Sequence, residues 1–164
     1  MRFSKLALVA SAFVLAACGG NDSNTDNAAT SGDTAAAAAT TPATTTGAAA
    51  PITGTTHTVR MVGDEKGYRF DPQNITIKAG DGVKWVMVSG GPHNVAFDPA
   101  KVPADVKGQL SANMPNQMSE LSSPMFMNPN EEYTVSFANV KAGKYDYVCT
   151  PHLAMGMTGS VTVE

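Results

Sequence analysis

From residue 56 onward the chain alternates apolar and polar positions with a period of two. That period marks strands with one buried face. His57 to Val62 begins the series, and Ile75 and Ile77 alternate with Thr76 and Lys78. Ala79-Gly80-Asp81-Gly82 supplies a turn. Val83, Trp85 and Met87 then share one face, and Asn94 to Phe97 reads as another short strand. Tyr133, Val135 and Phe137 alternate with Thr134 and Ser136, Ala142-Gly143 turns into Tyr145 to Cys149, and Val161 and Val163 close the series. Short strands at this spacing predict an all-β fold, an antiparallel Greek-key sandwich. Residues 99–130 break the pattern. They are rich in Pro and Met and predict one long crossover loop, with a short helix near Ala104 to Gln109.

The first 55 residues follow different rules. Met1 to Cys18 has a cationic start (Arg2, Lys5), an apolar run from Leu6 to Ala17, and a small-residue ending, Leu15-Ala16-Ala17-Cys18-Gly19. The run is short for a bilayer span and reads as a signal peptide. Its ending resembles the lipobox of bacterial lipoproteins, which implies lipidation of Cys18 and a protein anchored to a membrane of the cell envelope. Residues 19–55 are dominated by Ala, Thr, Ser, Gly and Asn. They carry too little apolar area to offset the entropy of ordering and are expected to form a disordered tether. One domain, 56–164, remains, long enough for a single core.

Charge narrows the function classes. The domain has nine Lys or Arg against eleven Asp or Glu, so no basic footprint for nucleic acid is present. Cys149 is its only cysteine, which rules out a disulfide inside the domain and leaves an exported thiol to be explained.

The explanation lies in its neighbours. Cys149-Thr150-Pro151-His152-Leu153-Ala154-Met155-Gly156-Met157 puts a thiol, an imidazole and two thioethers in one loop. Soft sulfur combined with imidazole suits copper. A second imidazole stands far upstream in Gly91-Pro92-His93-Asn94-Val95-Ala96-Phe97-Asp98. Two His, one Cys and a weak axial Met make a type 1 copper site. Loops gather at the two ends of a sandwich, so this topology can bring His93 to the Cys149 loop. His57 lies away from both motifs and is expected to be solvated; Trp85 and Tyr145 are expected in the core.

Pro92 to Asp98 resembles the first-histidine motif of plastocyanins and amicyanins, and Cys149 to Met157 resembles the ligand loop of pseudoazurin and plastocyanin. Phe70-Asp71-Pro72-Gln73-Asn74-Ile75-Thr76-Ile77 with Ala79-Gly80-Asp81 is similar to their early strands. The likeness spans the domain apart from residues 99–130. It implies a cupredoxin fold, one copper ion, and His93, Cys149 and His152 as equatorial ligands. Met157, five residues past His152, matches the axial position of the longer-loop relatives, and Met155 matches that of the shorter amicyanin loop; the run Gly156-Met157-Thr158-Gly159 into the last strand favours Met157. It further implies that Asn94 hydrogen-bonds across to the thiolate loop. The function implied is one-electron transfer rather than catalysis, by a monomer that docks redox proteins briefly at an apolar patch around His152. Val148 stands where plant plastocyanins have Tyr, and Pro99-Ala100-Lys101 stands where acids would cluster, so an acidic docking surface is not expected. The rival expectation is a copper chaperone or store using Met114, Met118, Met125 and Met127. Three histidines are too few for a second copper centre of the reductase or oxidase kind.

Overall fold

The computed structural model describes residues 49–164. The signal segment, Cys18 and the tether as far as residue 48 lie outside the described residues. Eight strands and one helix follow in order: β1 (Thr56–Asp64), β2 (Gly67–Asp71), β3 (Asn74–Ile77), β4 (Gly82–Met87), β5 (Ala96–Phe97), α1 (Ala104–Asn113), β6 (Glu132–Ser136), β7 (Gly143–Val148) and β8 (Thr158–Val163). A 3₁₀ turn, Thr150–Met155, joins β7 to β8. One sheet runs β2-β1-β4-β6 and the other β3-β8-β7-β5. This is the cupredoxin β-sandwich, with one correction. The sheets are mixed, because β1 pairs parallel to β4 and β3 parallel to β8. Alternation alone specifies a buried face and not a strand's direction.

The period-two pattern determines what is inside. Val59 and Met61 of β1, Val83, Trp85 and Met87 of β4, Tyr133 and Val135 of β6, and Tyr145 and Tyr147 of β7 all point into one core. Tyr147 is its hub, edge-on to Phe70 at 4.7 Å and to Trp85 at 5.3 Å between ring centres. Each such large side chain, fully buried, contributes about 1.5–3 kcal/mol. β2 begins before Phe70-Asp71, the part of it that the likeness to early strands covers. Its signal is short, Tyr68 and Phe70 around Arg69, and it forms by folding back on β1.

Residues 99–130 hold a ten-residue helix, longer than expected. Val106, Leu110 and Asn113 face inward at helical spacing. The segment then returns alongside the site. Bridges join His93 to Phe126 and Ala96 to Ser122, so the expected crossover loop also serves as an extra edge. Met114 lies in the core, whereas Met118 and Met127 are exposed. The packed unit also begins before Thr56. The amides of Thr53 and Gly54 donate to the Gly80 carbonyl, and the Ala50 amide donates to Asn113 Oδ1. These backbone groups are satisfied by the domain although the side chains around them are small. Among the described residues no helix is long and apolar enough to cross a membrane.

Candidate metal centre

The buried position of Cys149 follows from strand register. Tyr145, Tyr147 and Cys149 occupy alternate positions and point to the same side, so the thiol continues the inward row of β7. The loop then closes on itself. The His152 amide donates to the Cys149 carbonyl (3.1 Å), the Met157 amide to the His152 carbonyl (3.2 Å), and the Cys149 amide to the Met157 carbonyl (3.0 Å). Gly156 makes the reversal in the left-handed region, at φ 82°.

His93 arrives from the other side of the sandwich. Its amide donates to the Phe126 carbonyl and its carbonyl accepts from the Phe126 amide, so the returning edge clamps it. Its ring is oriented by Nε2, which lies 2.8 Å from the Ser89 carbonyl. A carbonyl can only accept, so Nε2 carries the proton and Nδ1 presents a bare lone pair. The same Ser89 carbonyl also accepts from the Gly63 amide.

That lone pair faces a second ring nitrogen and a sulfur. His93 Nδ1 stands 3.5 Å from Cys149 Sγ, His152 Nδ1 stands 3.4 Å from the sulfur, and the two nitrogens are 3.3 Å apart. All three residues are buried. The point equidistant from atoms so spaced lies about 2 Å from each, close to a first-row metal's bond length to nitrogen and slightly inside that to sulfur. Two imidazole nitrogens and a thiol make poor hydrogen-bond partners for one another at a shared centre. They make a good donor set for a soft or borderline cation, and the residues therefore fit copper.

The electrostatics agree with that fit. Burial pushes the Cys149 thiol up, and only partly do the amides around it pull it back. Burial pushes His93 down against the Ser89 hydrogen bond, and pushes His152 down with a further contribution from the neighbouring His93. All three shifts disfavour the charged forms of the donors. Taking up a metal ion must expel the thiol proton, so binding strengthens as pH rises.

The expected residues divide clearly. His93, Cys149 and His152 come together. Asn94 reaches the thiolate loop: its Oδ1 accepts from the Thr150 amide at 2.7 Å and its NH₂ donates to Thr150 Oγ1 at 3.1 Å. Met157 is fully buried in the same core cluster as Cys149, while Met155 is 59% exposed. His57 is not merely solvated. Its Nε2 pairs with Asp81 Oδ2 at 2.8 Å, far along β1 from the site. Trp85 and Tyr145 are core residues.

Three contributors were not anticipated. The Ser89 carbonyl is invisible to any pattern of side chains. Ser122 Oγ accepts from Asn94 at 3.2 Å, which depends on the return of the 99–130 segment. Tyr68 stacks on His152 with ring centres 3.7 Å apart. Its only sequence signal is its place in the short Tyr68-Arg69-Phe70 alternation.

Comparison with known proteins agrees with this site. Residues 57–164 match the family of copper binding proteins of the plastocyanin/azurin type. A plastocyanin of Scenedesmus fuscus is 37% identical over 108 residues, covering 65% of this chain and 98% of the relative. A plastocyanin of Nostoc punctiforme is 36% identical over 110 residues, covering 66% of this chain and 74% of the relative. A solved structure of a mutant fern plastocyanin is 36% identical and covers 66% of this chain and all of that one, with a TM-score of 0.49. The chain belongs to the plastocyanin/azurin family of copper-binding proteins and is a plastocyanin-like cupredoxin with one type 1 copper.

Proposed function

We propose that this type 1 copper electron carrier holds its ion on His93 Nδ1, His152 Nδ1 and Cys149 Sγ, with Met157 as the weak axial ligand. The observation that carries this reading is the triangle of two ring nitrogens and a buried sulfur, 3.3–3.5 Å on each side. Copper, when bound, supplies a one-electron couple between Cu(I) and Cu(II). The chain's part is to keep the donors in place and water out. Three backbone hydrogen bonds close the ligand loop, Ser89 fixes His93, and burial excludes solvent from all three donors. A closed site of this kind has no place for a substrate, and the domain is read as a carrier and not an enzyme.

Exposure supports Met157 over Met155 as the axial group. A ligand must share the buried space of the sulfur, and Met155 points to water. Partner redox proteins are placed at the rim of His152, where Leu153 (50% exposed) and Met155 form an apolar surface suited to brief contact. The rival reading, a Cu(I) store on the methionines of 99–130, is weakened by Met114, which is in the core while Met118 and Met127 face solvent.

The cell envelope is the proposed location, with Cys18 lipidated. Support comes from where the chain enters the domain. Gly63, at the far end of β1, is bonded to Ser89 beside the site, whereas Thr53 and Gly54 are bonded to Gly80 at the near end. β1 spans nine residues, roughly 27 Å of extended chain. A tether at that end leaves the metal pole free to face partners. Cys18→Ala should move the protein from the membrane fraction to the soluble one, and retention on the membrane would sink the anchor.

The central test is copper loading of residues 49–164. One copper per chain and an intense blue or green sulfur-to-copper band are expected, both lost in Cys149→Ser. Met157→Gln should shift the band while Met155→Gln leaves it in place. Copper bound without that band would overturn the reading, and the opposite response of the two methionines would overturn the axial assignment.

A further inference from the structure

The two histidines are oriented by different means. His93 is turned by a hydrogen bond from Nε2 to Ser89. His152 has Nδ1 at the site, and no acceptor among the described residues receives its Nε2. Something else must set its ring angle, because an imidazole turns easily about its Cβ–Cγ bond.

That something is Tyr68. Its ring lies 3.7 Å from the His152 ring with planes 14° apart, while every other ring pair among the described residues is tilted by 49° or more. Two free aromatic rings avoid so full a face-to-face overlap and slide apart or turn edge-on. The arrangement is therefore imposed from behind. Tyr68 is backed by the β1 end: a Cβ on Gly63 would fall 2.7 Å from the Tyr68 ring and 2.8 Å from Gly90 Cα. Glycine at 63 lets the tyrosine seat against the backbone, and the tyrosine then presses flat on the imidazole. The same ring stands edge-on to His93, with centres 6.2 Å apart and planes at 67°. One side chain from the β2 edge touches both histidines.

We propose that Tyr68 is a positioning residue for electron transfer: it holds the His152 ring at the angle that keeps Nδ1 on the metal in both oxidation states. The inference rests on the copper reading above and adds to it a residue outside both ligand motifs. Overlap that is unfavourable with a neutral imidazole improves once the ring is polarised by a cation, since the tyrosine face is electron-rich. Tyr68 also covers one face of His152, which is only 6% exposed.

The test compares the copper-loaded parent with Tyr68→Phe and Tyr68→Leu. In the reduced parent, proton NMR should show cross-relaxation between the Tyr68 and His152 rings, with His152 ring protons moved upfield by the stacked ring. Tyr68→Phe keeps both signatures, the charge-transfer band and the electron self-exchange rate, because the ring and not the hydroxyl does the positioning. Tyr68→Leu loses the upfield displacement, broadens the band and slows self-exchange several-fold. Absence of cross-relaxation between the two rings in the parent overturns the proposal even if Tyr68→Leu fails to fold. So does a folded Tyr68→Leu protein with unchanged band and exchange rate. A parent that takes up copper without the band is instead a failure of the copper reading, and the two outcomes are told apart by that one spectrum.

Discussion

Asn94 shows how much of this site one side chain can carry. It is buried and joins three segments remote in sequence: its own stretch just before β5, Ser122 of the returning edge, and Thr150 at the start of the ligand loop. Two bonds to Thr150 tie the residue after His93 to the residue after Cys149, so the two ligand segments move as one. Asn94→Ala leaves the Thr150 amide without its partner, a loss expected to cost about 1–3 kcal/mol. Copper retention should weaken about 10- to 100-fold, as for other groups that hold a ligand in place from outside. Urea unfolding of the metal-free domain and competition with a copper chelator measure the two effects. Retention equal to the parent would show that the loop is held by its own backbone bonds alone.

At the level of elements, the ends of β1 and β4 and the ligand loop set the geometry, and two glycines test different physics there. Gly90 has φ 78°, and a Cβ on it would lie 2.4 Å from Gly63 Cα, where backbone meets backbone and nothing can yield. Gly156 has φ 82° with nothing within 4 Å of the added carbon. Gly156→Ala should therefore cost only the backbone term, about 1–2 kcal/mol. Gly90→Ala should cost that amount and a further 1–3 kcal/mol or so for overpacking. It should also disturb the copper spectrum, because Ser89 next to it orients His93. Equal unfolding midpoints for the two variants would contradict the close approach of Gly63 and Gly90.

At the scale of the whole molecule, the pole away from the copper has its own anchor. The Asp81 carboxylate accepts from His57 Nε2 at 2.8 Å, the Lys78 amide at 3.0 Å and the Thr55 amide at 2.8 Å, closing the turn before β4 onto the start of β1. His57 first, then the two amides, hold its carboxyl down at about 2 from an ordinary 3.8. A depressed acid contributes stability that is fully present above its unfolded value and is lost as pH falls toward its folded one. Stability should therefore decline between about pH 4 and pH 2, and the decline should be shallower in Asp81→Asn. Denaturant unfolding across that range, parent against variant, is the measurement. Parallel pH profiles would remove Asp81 from the account.

The chain by itself determined the buried faces, the all-β class and the donor set. These are local properties: alternation places Tyr145, Tyr147 and Cys149 on one side, and the residue types around Cys149, His152 and His93 state their chemistry wherever the loops end up. Tertiary structure decided everything that depends on which distant segments cross. It made β1 and β4 parallel, brought the 99–130 segment back beside His93, and gave His57 a carboxylate partner. It separated Met155 from Met157 by exposure, and it laid Tyr68 flat on His152. Periodicity reports which side of a strand is buried. It carries no record of what lies against that side, because such contacts are fixed by strand order and loop return across the whole fold.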